Sequence, residues 1–139
     1  MKTIFRGQIF TLRKSFNKEE VLLFSNLCGD KNPLHFNEEF CKNTIFRKPI
    51  IFGMLGSSLF SNLIGNNIEG SIYISQTLNF LKPIYVDEEI EASVKVEGVT
   101  DPRKYLRLIT QVRKIKKDEV AIDGEAVVKI PMDKYLINL

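Results

Sequence analysis

The sequence predicts an α+β fold in which an antiparallel sheet of roughly five strands wraps one buried helix. Three observations lead there. The stretch from Gly53 to Gly65 places Met54, Leu55, Leu59, Phe60, Leu63 and Ile64 on nearly every side of a helical wheel, the pattern of a helix surrounded by protein. From Ile72 to Ile130 apolar and polar residues alternate with a period of two, as they do on a sheet with one buried face. The alternating stretches follow one another through short turns, which antiparallel neighbours allow and parallel ones do not.

Taken in chain order, the opening MKTIFRGQIFTLRKSF alternates and predicts a strand before Ser15. Asn17 followed by Lys18, Glu19 and Glu20 has the form of a helix start, a capping Asn with an acid three residues later, and predicts a helix over about residues 18–28. Gly29 ends it. Asn32 and Pro33 then force a turn, because proline lacks the N–H and biases its predecessor away from helix, so Asp30–His35 is a loop. Asn37, with Glu38 and Glu39 behind it, caps a second short helix. In the central helix Gly53, Ser57 and Ser61 lie four apart and form a stripe of small or hydroxylic residues. Ile72, Ile74, Gln76, Leu78 and Phe80 form one strand face. Ile90, Ala92, Val94 and Val96 form the next, and the DPRK turn at Asp101–Lys104 leads to Leu106, Leu108, Thr110 and Val112. Val120, Ile122, Ala126, Val128 and Ile130 make the last strand after the KKDE turn.

With 139 residues the chain is sized for one domain, read as residues 1–139. The net charge of +3 comes from 20 basic and 17 acidic residues spread along the chain, too mild for a nucleic-acid footprint. Cys28 and Cys41 form no CxxC pair, and a single histidine leaves no ligand set for a metal, so neither metal nor other cofactor is expected. Both thiols are expected to be buried and reduced. No apolar run is long enough to insert in a membrane, and the N-terminus lacks a signal-peptide centre. A cytoplasmic protein is expected, or a mitochondrial matrix one where a presequence has been removed.

Asp30 and His35 stand five residues apart across the Asn-Pro turn, a spacing that can turn a carboxylate and an imidazole toward one point. Both exchange protons near neutral pH in a tuned environment. Taken alone, the pair fits an Asx turn beside an incidental histidine better than an active site.

The surrounding sequence narrows the choice. GDKNPLHFNEEFCKNTIFRKPIIFGMLGSSLFSNLIG is followed by GSIYISQTLNFLKPIYVDEEI and, near the end, by GEAVVKIP. In this order the D-x-N-P-x-H motif, the GML helix start and the P-x-x-x-x-E strand junction resemble the MaoC-like dehydratases over nearly the whole chain. Within that family they resemble the (R)-specific enoyl-CoA hydratases and type 2 3-hydroxyacyl-thioester dehydratases. The resemblance implies a hot-dog fold, usually a homodimer or higher homo-oligomer, with the site near the subunit interface. It implies that Asp30 and His35 hold the water that adds across a trans-2-enoyl thioester carried on CoA or acyl carrier protein. Asn32 belongs to the same motif, Gly53 offers its backbone N–H to the thioester oxygen, and the Ser61 hydroxyl supports the site. Such a reaction needs a base for the water, a proton donor for C2 and donors for the developing oxyanion, the last supplied by free N–H groups at a helix start. One departure stands out: many relatives carry His immediately before the Gly of GML, and this chain has Phe52, read as a residue that packs beside the site.

Cys28, near Asp30 but without a second histidine to activate it, reads as a core thiol. Arg103, Lys104 and Arg107, with Arg113, Lys114, Lys116 and Lys117, read as a solvated turn and strand face, the alternative being a contact for CoA phosphates or an acidic carrier protein. Leu55, Leu59, Leu63, Met54 and Phe60 read mostly as core, with an acyl-lining role on one side. The expected function is reversible (R)-specific hydration of trans-2-enoyl thioesters. The alternatives are a thioesterase on the same fold and a non-catalytic acyl-CoA-binding protein.

Overall fold

A computed structural model describes residues 2–100, 105–131 and 133–138. Strands β1 (Lys2–Phe5) and β2 (Ile9–Lys14) open the chain, followed by helix α1 (Lys18–Cys28), a single 3-10 turn (Pro33–His35), α2 (Glu38–Lys42) and the central helix α3 (Gly53–Asn67). Strands β3 (Ile72–Gln76), β4 (Asn79–Phe80), β5 (Ile90–Thr100), β6 (Tyr105–Lys114), β7 (Glu119–Lys129) and β8 (Tyr135–Asn138) complete it. The main sheet runs β2-β5-β6-β7-β3, with β4 also on β7, and every pairing in it is antiparallel.

Period-two patterning sets its buried face. On β5, Ile90, Ala92, Val94 and Val96 are wholly buried, and β6 matches them with Leu106, Leu108, Thr110 and Val112. Against this face lies α3, whose Leu59, Phe60, Leu63 and Ile64 are buried and which contacts β2, β5, β6 and β7. Each such side chain contributes about 1.5–3 kcal/mol when removed from water, so this layer holds most of the fold. The helix is not enclosed all round. Its first turn leaves Met54 58% exposed, and Ser58 and Ser61 also face out.

Three features differ from the sequence expectation. The N-terminal strand is two strands, because the chain turns at Arg6-Gly7, with Gly7 at φ 86, before Gly7 N–H bonds Val96 O at 2.9 Å. The stretch 72–80 is also two strands. Between them Thr77 O comes so close to Gly124 of β7 that a Cβ there would lie 1.8 Å from it, and Thr77 bonds Glu125 through N–H and Oγ1, both at 2.9 Å. Finally, β1 and β8 pair in parallel as a separate two-stranded sheet. The DPRK turn lies outside the described residues.

Candidate active site

Local chemistry fixes the loop after α1. Asn17 Oδ1 accepts from Glu20 N–H at 2.9 Å and Glu20 Oε1 accepts from Asn17 N–H at 3.0 Å, a capping box worth about 1 kcal/mol. Glu20 also pairs with Lys14 at 2.5 Å, and that hydrogen bond, with the one from Asn17, holds its carboxyl below the usual value. At the other end Gly29 adopts the left-handed conformation at φ 85 and donates its N–H to Ser25 O at 2.8 Å. The buried Ser25 hydroxyl then donates to Asp30 O at 2.6 Å, so the first loop residue is tied to the helix it leaves.

Inside the loop each polar side chain has an assignment. Asp30 Oδ1 accepts from Asn32 N–H at 2.9 Å, and Asn32 Oδ1 accepts from Leu34 N–H at 3.1 Å. Asn32 therefore shapes the turn before Pro33. The buried Cys41 thiol, pushed up by burial and by Glu38, stays a donor and reaches Leu34 O at 3.2 Å. His35 Nδ1 lies 2.7 Å from Ile50 O. A carbonyl can only accept, so Nδ1 carries a proton, and in the neutral ring Nε2 is then the acceptor. Phe52, 4% exposed, packs its ring on the imidazole with centroids 3.8 Å apart, and Phe24 and Phe36 flank Phe52 at 5.0 and 6.0 Å.

Asp30, His35 and Gly53 line one cavity of about 880 Å³ whose walls are otherwise largely apolar, with Phe24, Ile45, Phe46, Met54, Phe80 and Ile84 among them. Gly53 opens α3, whose cap residue Phe52 supplies no side-chain hydrogen bond. The N–H groups of Gly53 and Met54 are among those a helix start leaves without an intrahelical acceptor, and they carry the positive end of its dipole. Phe80 closes on Gly53 so tightly that a Cβ would lie 2.5 Å from its ring. The combination offers two proton acceptors, a helix start for developing negative charge and an apolar volume.

Other candidate residues are placed differently. Ser61 is exposed on α3 and does not line the cavity; the hydroxyl one turn earlier, on Ser57, donates to Gly53 O at 2.8 Å. Cys28 is not a core thiol. It is the last residue of α1, exposed, and lines the cavity. Lys114 is not on a solvated face either: it is 1% exposed and bonded to Pro83 O. Arg107 pairs with Glu125 and Arg113 with Asp118 at the surface, Lys116 is exposed, and Arg103 and Lys104 fall outside the described residues. Leu55, Leu59, Phe60 and Leu63 are core, whereas Met54 lines the cavity. Among the described residues no group of three or more acidic, Cys or His side chains could hold a metal, and no helix is long and apolar enough to cross a membrane.

Comparison with known proteins gives this arrangement a context. A family model described as MaoC like domain matches residues 3–118. The chain belongs to the MaoC-like domain family. This MaoC-like chain is 40% identical over 127 residues to the (R)-specific enoyl-CoA hydratase of Aeromonas caviae, covering 90% of the chain and 94% of that protein. It is 38% identical to a mitochondrial 3-hydroxyacyl-[acyl-carrier-protein] dehydratase of Solanum lycopersicum, over 90% of the chain and 76% of the relative. The solved structure of the A. caviae (R)-hydratase superposes with a TM-score of 0.86, covering 91% of the MaoC-like chain and 96% of its own. An unliganded R-hydratase from Pseudomonas aeruginosa, 29% identical, reaches 0.83 over 91% and 81%. The sheet laid around α3 is a hot-dog fold.

The places of Ile50, Phe24 and Phe80 at the site were not legible in the sequence. Ile50 acts through its backbone carbonyl, which no side-chain type announces. Phe24 carried a signal, being four residues before Cys28 on one side of α1.

Proposed function

We propose that the protein is an (R)-specific enoyl-CoA hydratase, a hydro-lyase that reversibly hydrates trans-2-enoyl thioesters in fatty acid metabolism. The observation that carries the reading is the shared cavity of Asp30, His35 and the start of α3, in a chain 40% identical to a hydratase of that name. In this reading the acyl chain lies along the apolar wall and the thioester oxygen meets the Gly53 N–H. His35 Nε2 accepts one hydrogen of a water and orients it. The Asp30 carboxylate accepts the other and, as general base, takes it while the C3–O bond forms. The coupled pair returns a proton to C2, leaving the site unchanged after each turnover. Asn32 holds Asp30 and the 3-10 turn in place, and Ser61 has no contact with the cavity from which to act within one chain. No cofactor takes part.

The carrier in this reading is CoA, with acyl carrier protein as the other handle, since relatives of both names are present. The chain works as one domain and as a homodimer. Edge strand β3 exposes Ile72 and Ile74 by 59% and 52%, and Phe80 and Leu81 are half exposed beside the cavity, apolar surface that a second copy would cover. Its compartment is cytoplasmic in this reading, or the mitochondrial matrix.

The test follows crotonyl-CoA by loss of the enoyl absorbance band. Wild type is expected to turn over, and Asp30→Asn and His35→Ala to fall at least about a hundredfold with unchanged circular dichroism. Full activity in either variant contradicts the mechanism, and binding without turnover by wild type would favour an acyl-CoA-binding protein.

A further inference from the structure

Lys114 is a buried ammonium that the proposed reaction does not use. It ends β6 with 1% exposure, donates from Nζ to Pro83 O at 2.5 Å, lies 3.3 Å from Glu88 Oε1 and stands 5.3 Å from the centroid of the Tyr85 ring. An ammonium taken from water is costly unless its partners are well placed, and all three of its partners belong to one segment, residues 83–88.

That segment is stitched to another. Ile51 N–H donates to Ile84 O at 2.8 Å, Val86 N–H to Pro49 O at 3.4 Å and Tyr85 Oη to Phe46 O at 2.8 Å, while Ile50 and Tyr85 form an isolated antiparallel bridge. Glu88 Oε1, besides meeting Lys114, accepts from Tyr85 N–H at 3.0 Å. The second segment carries the carbonyl of Ile50, which takes the Nδ1 proton of His35 at 2.7 Å, and the N–H of Ile50, which returns to Leu34 O at 3.3 Å.

We infer that Lys114 is a positioning residue for His35, acting through Pro83, Tyr85 and Glu88 on the segment that presents the Ile50 carbonyl. This rests on the role proposed for His35. The imidazole torsion is broad and two-fold, so the carbonyl decides which nitrogen faces the substrate. A shift of about 1 Å takes it beyond hydrogen-bond range, a scale of misplacement that costs up to about a hundredfold in rate. The sheet face thus sets the tautomer of a residue on a loop.

His35 is the single histidine of the chain, so nitrogen-proton correlation spectra of histidine-labelled protein report its tautomer without overlap. Lys114→Met paired with Glu88→Gln removes the ammonium without stranding a carboxylate and keeps an acceptor for Tyr85 N–H. The double variant is expected to unfold near the wild-type urea midpoint. Its kcat on crotonyl-CoA falls about tenfold with KM within about threefold, and its His35 signals change from the Nδ1–H tautomer to a mixture. Tyr85→Phe removes only the hydroxyl that holds Phe46 O and is expected to move the same signals the same way, to a smaller extent. Wild-type His35 spectra in both variants, or wild-type kcat in the double variant, would overturn the inference. Should wild type hydrate no enoyl thioester, the functional reading fails, while the spectra still decide whether Lys114 sets the tautomer.

Discussion

Replacing Phe52 with histidine separates two views of the site. Phe52 is 4% exposed and touches three rings, His35 at 3.8 Å, Phe24 at 5.0 Å and Phe36 at 6.0 Å between centroids. Burying a phenylalanine is worth about 1.5–3 kcal/mol, and each well-placed ring pair adds about 0.5–1.5 kcal/mol. A histidine keeps part of this, but its ring nitrogens face aromatic carbon, and an unpaired buried polar group costs about 1–3 kcal/mol. Phe52→His is therefore expected to destabilise by about 2–4 kcal/mol, less than the stability of an ordinary domain, so the variant stays folded. His35, losing the ring that fixes its face, is expected to lose about tenfold in kcat. Urea unfolding and turnover of crotonyl-CoA measure the two effects. A large gain in activity at unchanged stability would refute the packing argument and show that a second imidazole belongs beside the water.

Three further outcomes follow from local geometry. Gly53→Ala puts a Cβ 2.5 Å from the Phe80 ring; the half-exposed ring swings into the cavity, so kcat/KM falls about tenfold while stability changes by less than about 1 kcal/mol, read by kinetics and urea unfolding together. Gly124→Ala meets backbone instead of a movable ring, with Thr77 O 1.8 Å from the new Cβ, and is expected to cost more than about 3 kcal/mol, measured as a large drop in Tm. The Glu20 carboxyl is held low chiefly by Lys14. Its contribution is present above the ordinary carboxylate pKa and is lost as pH falls through the lowered folded value. Glu20→Gln, which keeps the cap acceptor, is expected to lose under about 1 kcal/mol at neutral pH, given a side chain 35% exposed, and nothing at about pH 2. An equal deficit at both pH values, by urea unfolding, would contradict the ion pair as its source.

The parts of the fold legible in the sequence are those set by local chemistry. The Asn17 box, the Gly29 stop and the Asn-Pro turn are short-range devices, so α1 and the loop that follows lie where their residues place them. Alternation located β5, β6 and β7, because each has one face on α3. What escaped depends on long-range contact. β8 is four residues long and is held by β1 from the far end of the chain, and the break after Gln76 is made by the glycine opposite, in β7. Lys114 shows the limit well. It shares the period-two face of Leu106, Leu108, Thr110 and Val112, so its direction was readable, yet a lysine is assigned to solvent unless a partner is known. Its partners, a carbonyl at Pro83 and a carboxylate at Glu88, come from another segment. The same holds for His35: its place in the motif was readable, whereas its tautomer depends on the Ile50 carbonyl fifteen residues away.

The most direct test of the central claim, that water held between Asp30 and His35 adds to C3 of an enoyl thioester, is turnover of crotonyl-CoA in oxygen-18 water with mass and chiral analysis of the product. The expected product is (R)-3-hydroxybutyryl-CoA with the label on the C3 hydroxyl and the thioester intact. Label in a free carboxylate with release of CoA thiol would show hydrolysis and contradict it.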